Sequence, residues 1–275
     1  MYHPTISSPV ARRVWGSPDC VLLFFAAGAA EFAAIKAVDW LFFTGRLPDD
    51  PVGRFFGTVG FARRVFFGSP AEATAAVEAI RRAHERVEAA RGSRIPQWAY
   101  RDVLFMLIDH GERAHAVVFG PMTDAERRSH FGGALALGRA MHLEGLPATY
   151  AEYRAQRRRQ LLEDFARTPL TDELLRRYRR ALGPWRFRLL RAVQASVLPE
   201  ELKPVLGLQP DPVVDALLRR YRFLPGGGDK LRPLHGALLP PGLAEGLRGA
   251  RAARPCLGAR PSSAKEGRRF GTGRP

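Results

Sequence analysis

The chain has 275 residues, of which 46% are hydrophobic, and it carries a formal net charge of +16. This length and this apolar fraction allow a sizeable core and exclude a globally disordered chain. Leu, Ala and Arg dominate the composition while β-branched residues are sparse, which favours helix. The two cysteines, Cys20 and Cys256, stand in no metal-binding or redox spacing, which argues against a disulfide framework and against a zinc site.

The positive charge is unevenly distributed along the chain. From Arg248 to Pro275 there are eight basic residues and one acid, in a stretch rich in Gly, Pro, Ser and Ala, which predicts a disordered basic tail. Most of the remaining charge is arginine in helical segments, including Arg157, Arg158 and Arg159, and is interpreted as a solvated basic face. Because no nucleic-acid-binding motif accompanies it, we expect no specific nucleic-acid partner, and only weak association of the tail with anionic membrane.

A long apolar run, Cys20–Phe43, has three interpretations. As a membrane-spanning helix it would carry Glu31, Lys36 and Asp39, each costing roughly 2.5–3.5 kcal/mol near the bilayer centre. A cleaved signal peptide fits the basic pair that precedes the run, but Asp19 stands directly before the apolar residues and the run continues past any cleavage point. The sequence therefore favours a buried first helix in a cytoplasmic protein, with export through an N-terminal signal as the alternative.

Proline, glycine and capping residues divide the chain into segments. Residues 1–19 are predicted to be an irregular lead-in, residues 20–222 a single all-α bundle of about eight to ten helices, and residues 223–275 a flexible, basic tail. Glycines 226–228 are interpreted as a hinge. The predicted helices cover residues 20–43, 51–67, 70–91, 100–119, 124–144, 150–166, 171–182, 184–197 and 213–222.

Two histidines lie on apolar stripes of the predicted helices. His84 continues the stripe formed by Val77 and Ile80, and His110 lies in the same way on the helix that follows. A histidine that faces a core needs a hydrogen-bonding group, a metal or a cofactor as its partner. From spacing alone, a core histidine bonded to a carbonyl or a carboxylate is favoured over a ligand, and both interpretations stay open.

The helix predicted over residues 51–67 adds a polar pair. Arg54 and Thr58 are four residues apart, so they share a face with apolar Phe61 and Val65. An arginine near an apolar wall binds an anion, such as a carboxylate or a propionate. The alternative, which the pattern alone favours, is an ordinary arginine that extends to water and a threonine bonded to its own helix.

Several segments, in chain order over about residues 20–222, resemble the catalytic domain shared by MpaB oxygenases and the latex-clearing protein. The helix with Arg54 and Thr58, which ends in Phe67-Gly68, resembles a Gly-Arg-x-x-x-Thr helix of that family. The segment around His84 resembles its Arg-x-x-His-x-x-Val motif, and Asp102 followed by His110 resembles an aspartate with a histidine eight residues later. The remaining matches are Pro147-Ala-Thr-Tyr150, Tyr153 and Leu198-Pro-Glu-Glu-Leu-Lys-Pro-Val-Leu-Gly207.

The resemblance implies an all-helical fold that holds haem b and inserts oxygen from dioxygen into a hydrophobic small molecule. It implies His84 as the axial ligand of the iron, with His110 in the same pocket as a supporting or alternative ligand. It places Arg54 and Thr58 at the distal haem face, where they would bond iron-bound dioxygen or a propionate. Glu31 and Asp39 are the candidates for a catalytic base.

The sequence also departs from the family pattern. The first helix has no histidine or proline around Gly28, Ile108 and Asp109 replace a tryptophan and a valine, and Gly57 replaces a lysine. Two other functions therefore stay open. One is a non-catalytic relative that binds a lipid-like ligand or a partner; the other is a basic peripheral protein that binds anionic membrane or nucleic acid.

Overall fold

The computed structural model of the chain describes residues 6–43 and 49–239, except for the side chains of residues 51, 52, 54–56, 235 and 236. The described residues form the predicted all-α bundle; their only pairing of β type is an isolated bridge between Ile35 and Phe165. The helices are α1 (Pro9–Trp15), α2 (Pro18–Ala34), α3 (Val38–Phe43), α4 (Pro51–Phe67), α5 (Pro70–Arg91), α6 (Gln97–Val118), α7 (Asp124–Ala140), α8 (Tyr150–Glu163), α9 (Pro169–Leu182), α10 (Pro184–Val197), α11 (Leu202–Val205), α12 (Pro212–Tyr221) and α13 (His235–Leu238), with a 3₁₀ turn at Arg232–Leu234.

Most helix starts follow the capping chemistry of the sequence. Ser69 and Thr123 each form a capping box with the glutamate three residues later, and Asp50 accepts a hydrogen bond from the backbone of Gly53. Proline fills the first turn of α1, α2, α4, α5, α9, α10 and α12, where its missing N–H has no consequence. The predicted bounds of α4 and α5 are therefore confirmed to the residue.

The predicted irregular lead-in is wrong for part of its length. Ser8 caps α1, and the helix buries Val10, Val14 and Trp15 against the bundle. Pro9 and Pro18, which the sequence suggested as part of an irregular segment, instead occupy first-turn positions of α1 and α2. Residues 1–5 lie outside the described part of the chain.

The predicted single helix over residues 20–43 is two helices. It begins earlier, at Pro18, where Ser17 caps it, and it breaks at Ile35, whose backbone is extended. The break has partners in the loop after α8, because Lys36 N–H donates to Asp164 and Ala166 N–H donates to Ala34. These hydrogen bonds join distant segments of the same chain. They satisfy backbone groups that a continuous helix would have paired internally.

Helix α2 lies at the centre of the bundle. It is buried on every side, with 15 of its 17 residues in the core, and it packs against α6, α10, α9 and α1. Among the described residues, no single helix is long and apolar enough to cross a membrane; α1 and α2 meet that test only together, as a pair bent by 79°.

The segment after α12 is fixed to the bundle and is not a hinge over its described length. The carboxylate of Asp19, which is fully buried, accepts hydrogen bonds from the backbone N–H groups of Lys230 and Leu231. The Ser17 hydroxyl donates to the carbonyl of Gly228, and the Lys230 ammonium donates to two further carbonyls. The predicted tail thus begins later than residue 223, and residues 240–275 lie outside the described part of the chain.

Candidate functional site

A buried ionic centre joins three helices in the core of the bundle. We define it as Glu31 of α2, Asp109 and His110 of α6, and Arg157 and Gln160 of α8. All five are buried, none being more than 5% exposed. The centre lies where the central helix α2 is enclosed by α6 on one side and by residues of α8 on the other.

Arg157 is the hub of the buried ionic centre. Its two terminal nitrogens bind the Glu31 carboxylate in a bidentate pair at 2.6 and 2.8 Å, and its Nη1 also donates to Gln160 at 3.0 Å. Its Nε and Nη2 donate to Oδ2 of Asp109 at 3.3 and 3.2 Å. All five N–H donors of the guanidinium therefore have an acceptor, which is the condition for a stable buried arginine.

The charges of the centre balance one another. Burial alone would raise the pKa of Glu31, but Arg157 and His110 lower it to about 2. Burial likewise opposes ionisation of Asp109, whereas Arg157 and Arg113 lower its pKa to about 2. Arg113 is half-exposed and lies at the outer end of this network. Its Nε donates to Oδ1 of Asp109 at a distance of 3.0 Å. Two carboxylates are thus held ionised by two arginines.

His110 is enclosed within this centre. Its Nε2 lies 2.7 Å from Oε2 of Glu31, off the line of a regular hydrogen bond, and its ring meets the edge of Phe24. Nδ1 of His110 has no hydrogen-bond partner among the described residues. With its side chain fully buried, His110 faces a carboxylate and apolar packing.

Two turns further toward the start of α6, Asp102 is a buried carboxyl group with a pKa shifted in the opposite direction. It is 4% exposed, and its Oδ2 has no hydrogen-bond partner among the described residues. Burial, with the negative charge of Asp164 nearby, raises the pKa of Asp102 to about 8. Asp102 is therefore protonated at neutral pH, next to two carboxylates that are ionised.

His84 lies in a separate place, on the face that α5 presents to the start of α6. Its half-buried ring meets Tyr100 edge-on, with the ring centroids 5.3 Å apart. Its Nδ1 donates to the carbonyl of Ile80 at 3.0 Å. Tyr100 is ten residues from His110 on α6, or about 15 Å along the helix axis. The structure therefore does not bring His84 and His110 into one pocket.

Thr58 lies at the level of His84. Helices α4 and α5 pack antiparallel around the turn at Gly68, and Val65 of α4 lies in the same buried cluster as Val77 of α5. Thr58 lies seven residues before Val65 on α4, and His84 lies seven residues after Val77 on α5. Both are thus two helical turns from the valine of their own helix, in the direction away from Gly68. This register places the half-buried threonine opposite the histidine. The Arg54 side chain, one turn further along α4, lies outside the described part of the structure.

Asp39 belongs to neither group. It forms an ion pair with Arg91 at the end of α5, and its side chain is 46% exposed. The guanidinium of Arg91 also stacks over the ring of Trp40, 4.0 Å from its centroid. Of the two predicted bases, Glu31 is therefore paired inside the core and Asp39 is paired at the surface.

A large cavity opens at the other end of the α4–α5 pair. It measures about 1520 Å³, and its walls come from α1, the end of α4, the start of α5, α7 and the loop at residues 226–229. Val65, Phe67, Val77 and Ala136 contribute to its mainly apolar lining. None of its described lining residues is a histidine, cysteine, tyrosine or methionine, so none of them is a usual axial ligand of haem iron.

A sequence model of one protein family matches residues 12–224, which is more than three quarters of the chain. The family is described as the catalytic domain of ER-bound oxygenase mpaB/B′ and rubber oxygenase. The chain belongs to this family. No curated protein and no solved structure matches it. The matched region of this mpaB/rubber-oxygenase domain runs from α1 to just beyond α12, so it includes the buried ionic centre and the α4–α5 pair.

Sequence reasoning missed the arginine that organises the core of this mpaB/rubber-oxygenase domain. Arg157 was assigned to a solvated basic face, but it is 2% exposed, whereas its neighbours Arg158 and Arg159 are exposed. The signal was present on α8: Tyr153, Arg157 and Gln160 are spaced by four and three residues and share one face. Asp109, the residue before His110 on α6, is the second carboxylate partner of this arginine.

Proposed function

We propose that the chain is a haem-b-dependent oxygenase that uses dioxygen on a hydrophobic small molecule, with His84 as the axial ligand of the iron. The observation that carries the proposal is the hydrogen bond from Nδ1 of His84 to the Ile80 carbonyl. That bond places the ring proton on Nδ1 and the lone pair on Nε2, which is the tautomer in which histidine binds iron. Membership of an oxygenase family supports the chemistry.

The residues around His84 suit this role. The Ile80 carbonyl fixes the orientation of the ring, and Tyr100 packs against it and donates its hydroxyl to Glu88. Thr58 lies at the level of His84 across the helix pair, in keeping with the distal position that the resemblance implies for it. Arg54, one turn from Thr58 on the same helix, would supply a cation for a propionate. Haem bound here would supply the redox chemistry that activates dioxygen.

The buried ionic centre has no direct part in this proposal. Glu31 faces His110 and forms an ion pair with Arg157, and the core encloses all three residues. A group that is fully enclosed by the core is poorly placed to move a proton to or from a substrate. We assign Glu31 and His110 to the support of the fold, and leave Arg54 and Thr58 as the polar groups at the reacting face.

The test is a visible absorption spectrum of the full chain after expression with added haem. We expect a Soret band in the wild-type chain that is lost or shifted in His84→Ala and retained in His110→Ala. His110 is the matched control because it is also a helical histidine on an apolar stripe. Loss of the band in His110→Ala alone would move the ligand to α6. A well-folded wild-type chain without a Soret band would contradict haem binding.

A second function is favoured by the large cavity. Its volume exceeds that of most small-ligand sites, its lining is mainly apolar, and its described residues offer no axial ligand. These properties suit a non-catalytic relative that binds a lipid-like ligand there. This alternative predicts no Soret band, together with saturable binding of a fluorescent fatty acid that is weakened by Val77→Trp, a substitution that fills the cavity wall.

A further inference from the structure

Helix α12 is apolar on two faces, although a surface helix needs only one. Its inner face buries Tyr221 and partly buries Leu218 against the core. Its outer face carries Val213 and Leu217, which are 77% and 55% exposed. Phe223, just beyond the end of the helix, is also exposed, at 73%. Exposed apolar side chains grouped in this way mark an interaction surface.

Helix α10 extends this apolar surface. Ser196 near the end of α10 bonds Asp215 near the start of α12, whereas Arg186 near the start of α10 bonds the carbonyl of Ala237, which follows α12 in the chain. Helices α10 and α12 pack against each other. Near its start, α10 carries Trp185, which is 50% exposed and whose ring centroid lies 4.7 Å from the Arg186 guanidinium.

The rim of this surface is strongly basic. Residues 176–199 include seven arginines and no acid, and residues 216–228 include three arginines and no acid. Among them are arginines without an ion pair to any described acidic residue: Arg179, Arg180, Arg188, Arg219, Arg220 and Arg222. The two acids in the first turns of α12 are committed, since Asp211 caps the helix and Asp215 bonds Ser196.

We propose that this α12 surface, formed by Trp185, Val213, Leu217 and Phe223 within its arginine rim, docks on an anionic lipid bilayer. Apolar side chains that insert at the level of the headgroups, a tryptophan at the interface and a rim of cations together match such a membrane. A protein partner would need acidic charge around an apolar centre, and a second copy of this chain would set arginine against arginine. The surface lies outside the buried ionic centre and away from His84, so the proposal is independent of the haem assignment.

The test is co-sedimentation of the full chain with vesicles of phosphatidylcholine alone and with vesicles that also contain phosphatidylglycerol. We expect binding only to the anionic vesicles, and a steep loss of binding as salt is added. Replacing Val213, Leu217 and Phe223 by Ser should weaken binding by on the order of tenfold, because apolar burial contributes to interfacial affinity. The matched control is Leu162→Ser, since Leu162 of α8 is 66% exposed and lies outside the surface.

The charged rim is tested separately. Replacing Arg219, Arg220 and Arg222 by Gln should weaken binding by on the order of a hundredfold at low salt, at about fivefold per arginine. The control changes the same number of charges on α8, with Gln at the exposed positions Arg154, Arg158 and Arg159. Circular dichroism checks that every variant is folded.

Several results would overturn the proposal. The α8 control could lose as much binding as the α12 variant, which would mean that charge alone drives binding. The serine variant could bind like the wild-type chain. A full-length chain with Gln at the eight basic positions after Gly246 could lose all binding, which would place the site in the tail. Light scattering could show that the wild-type chain self-associates through this surface and does not bind vesicles.

Discussion

The two histidines that the sequence singled out lie in very different surroundings. His110 is fully buried beside a carboxylate, in a centre where Arg157 has an acceptor for every one of its donors. His84 is half-buried; its Nδ1 donates to the backbone carbonyl of Ile80, and its ring packs edge-on against Tyr100. The same apolar spacing therefore produced one histidine committed to the core and one whose tautomer suits a ligand. What separates them is the number of charged groups that the neighbouring helices bring to each.

The largest expected effect comes from the hub of the buried ionic centre. Arg157→Ala would leave buried Glu31 without its bidentate arginine partner and would leave Asp109 with Arg113 as its remaining arginine, so we expect a loss of about 3–5 kcal/mol in the free energy of unfolding. Urea denaturation followed by circular dichroism measures it. If the alanine variant does not fold, Arg157→Lys keeps the charge but loses the bidentate geometry, and a smaller loss is expected.

Arg158→Ala is the matched control for this change, because Arg158 is the next residue of α8 and is exposed. We expect it to change the free energy of unfolding by less than about 0.5 kcal/mol. Equal losses for the two alanine variants would show that the buried ionic centre does not hold α8 to the core.

The second-largest expected effect is a loss of folding stability at acidic pH. The folded pKa of Glu31 is lowered to about 2, below the ordinary 4.5, so its ionised form stabilises the fold above that ordinary value. This contribution disappears as the pH falls toward 2, and Asp109 behaves in the same way. We expect a loss of about 3 kcal/mol between pH 5 and pH 3, measured by urea denaturation.

Glu31→Gln separates this group from the other titrating residues. The variant is less stable at pH 7, since Arg157 loses a charged partner, but its stability should change less than that of the wild-type chain between pH 5 and pH 3. Buried His130, whose pKa burial lowers to about 4, titrates in both proteins and cancels in the comparison. Parallel pH profiles would contradict an ionised Glu31 in the folded chain.

The third expected effect is a loss of folding stability as the pH rises, and it comes from Asp102. Its pKa is raised to about 8, so its contribution is complete below the ordinary pKa of 3.8 and is lost as the pH rises through 8. We expect the wild-type chain to lose about 2–3 kcal/mol between pH 6 and pH 8 from this group. Asp102→Asn does not titrate and should lose less over that range. An unchanged alkaline profile would show that Asp102 is already ionised at pH 6.

Much of the fold could be predicted because local chemistry determines it. Ser69 with Glu72, and Thr123 with Glu126, are three residues apart in the chain, so a capping box is visible without any tertiary information. The break at Ile35 was not predictable, because its hydrogen-bond partners come from residues 164–166. Sequence spacing carries no information on backbone pairing across such a distance.

The candidate site was also predictable only where local sequence determines it. The apolar stripes that carry His84 and His110 could be predicted from helical spacing, and the family could be predicted from the order of its motifs. The pairing of Arg157 with Glu31 did not, because 126 residues separate them and arginine is usually exposed. A run of three arginines looks uniform in the sequence, yet only the one that shares a face with Tyr153 and Gln160 is buried.

The smallest effect sharpens the contrast between the two histidines. In the haem-free chain, His84→Ala should cost about 1 kcal/mol, since the half-buried ring gives up its edge-on contact with Tyr100 and its hydrogen bond to the Ile80 carbonyl. His110→Ala removes a fully buried ring beside Glu31, so it should cost about 2–4 kcal/mol. Urea denaturation of the two variants measures both costs. A residue whose role is to bind a ligand is expected to contribute little to the stability of the ligand-free protein. Equal costs would make His84 another core histidine and would remove the structural argument for it as an iron ligand.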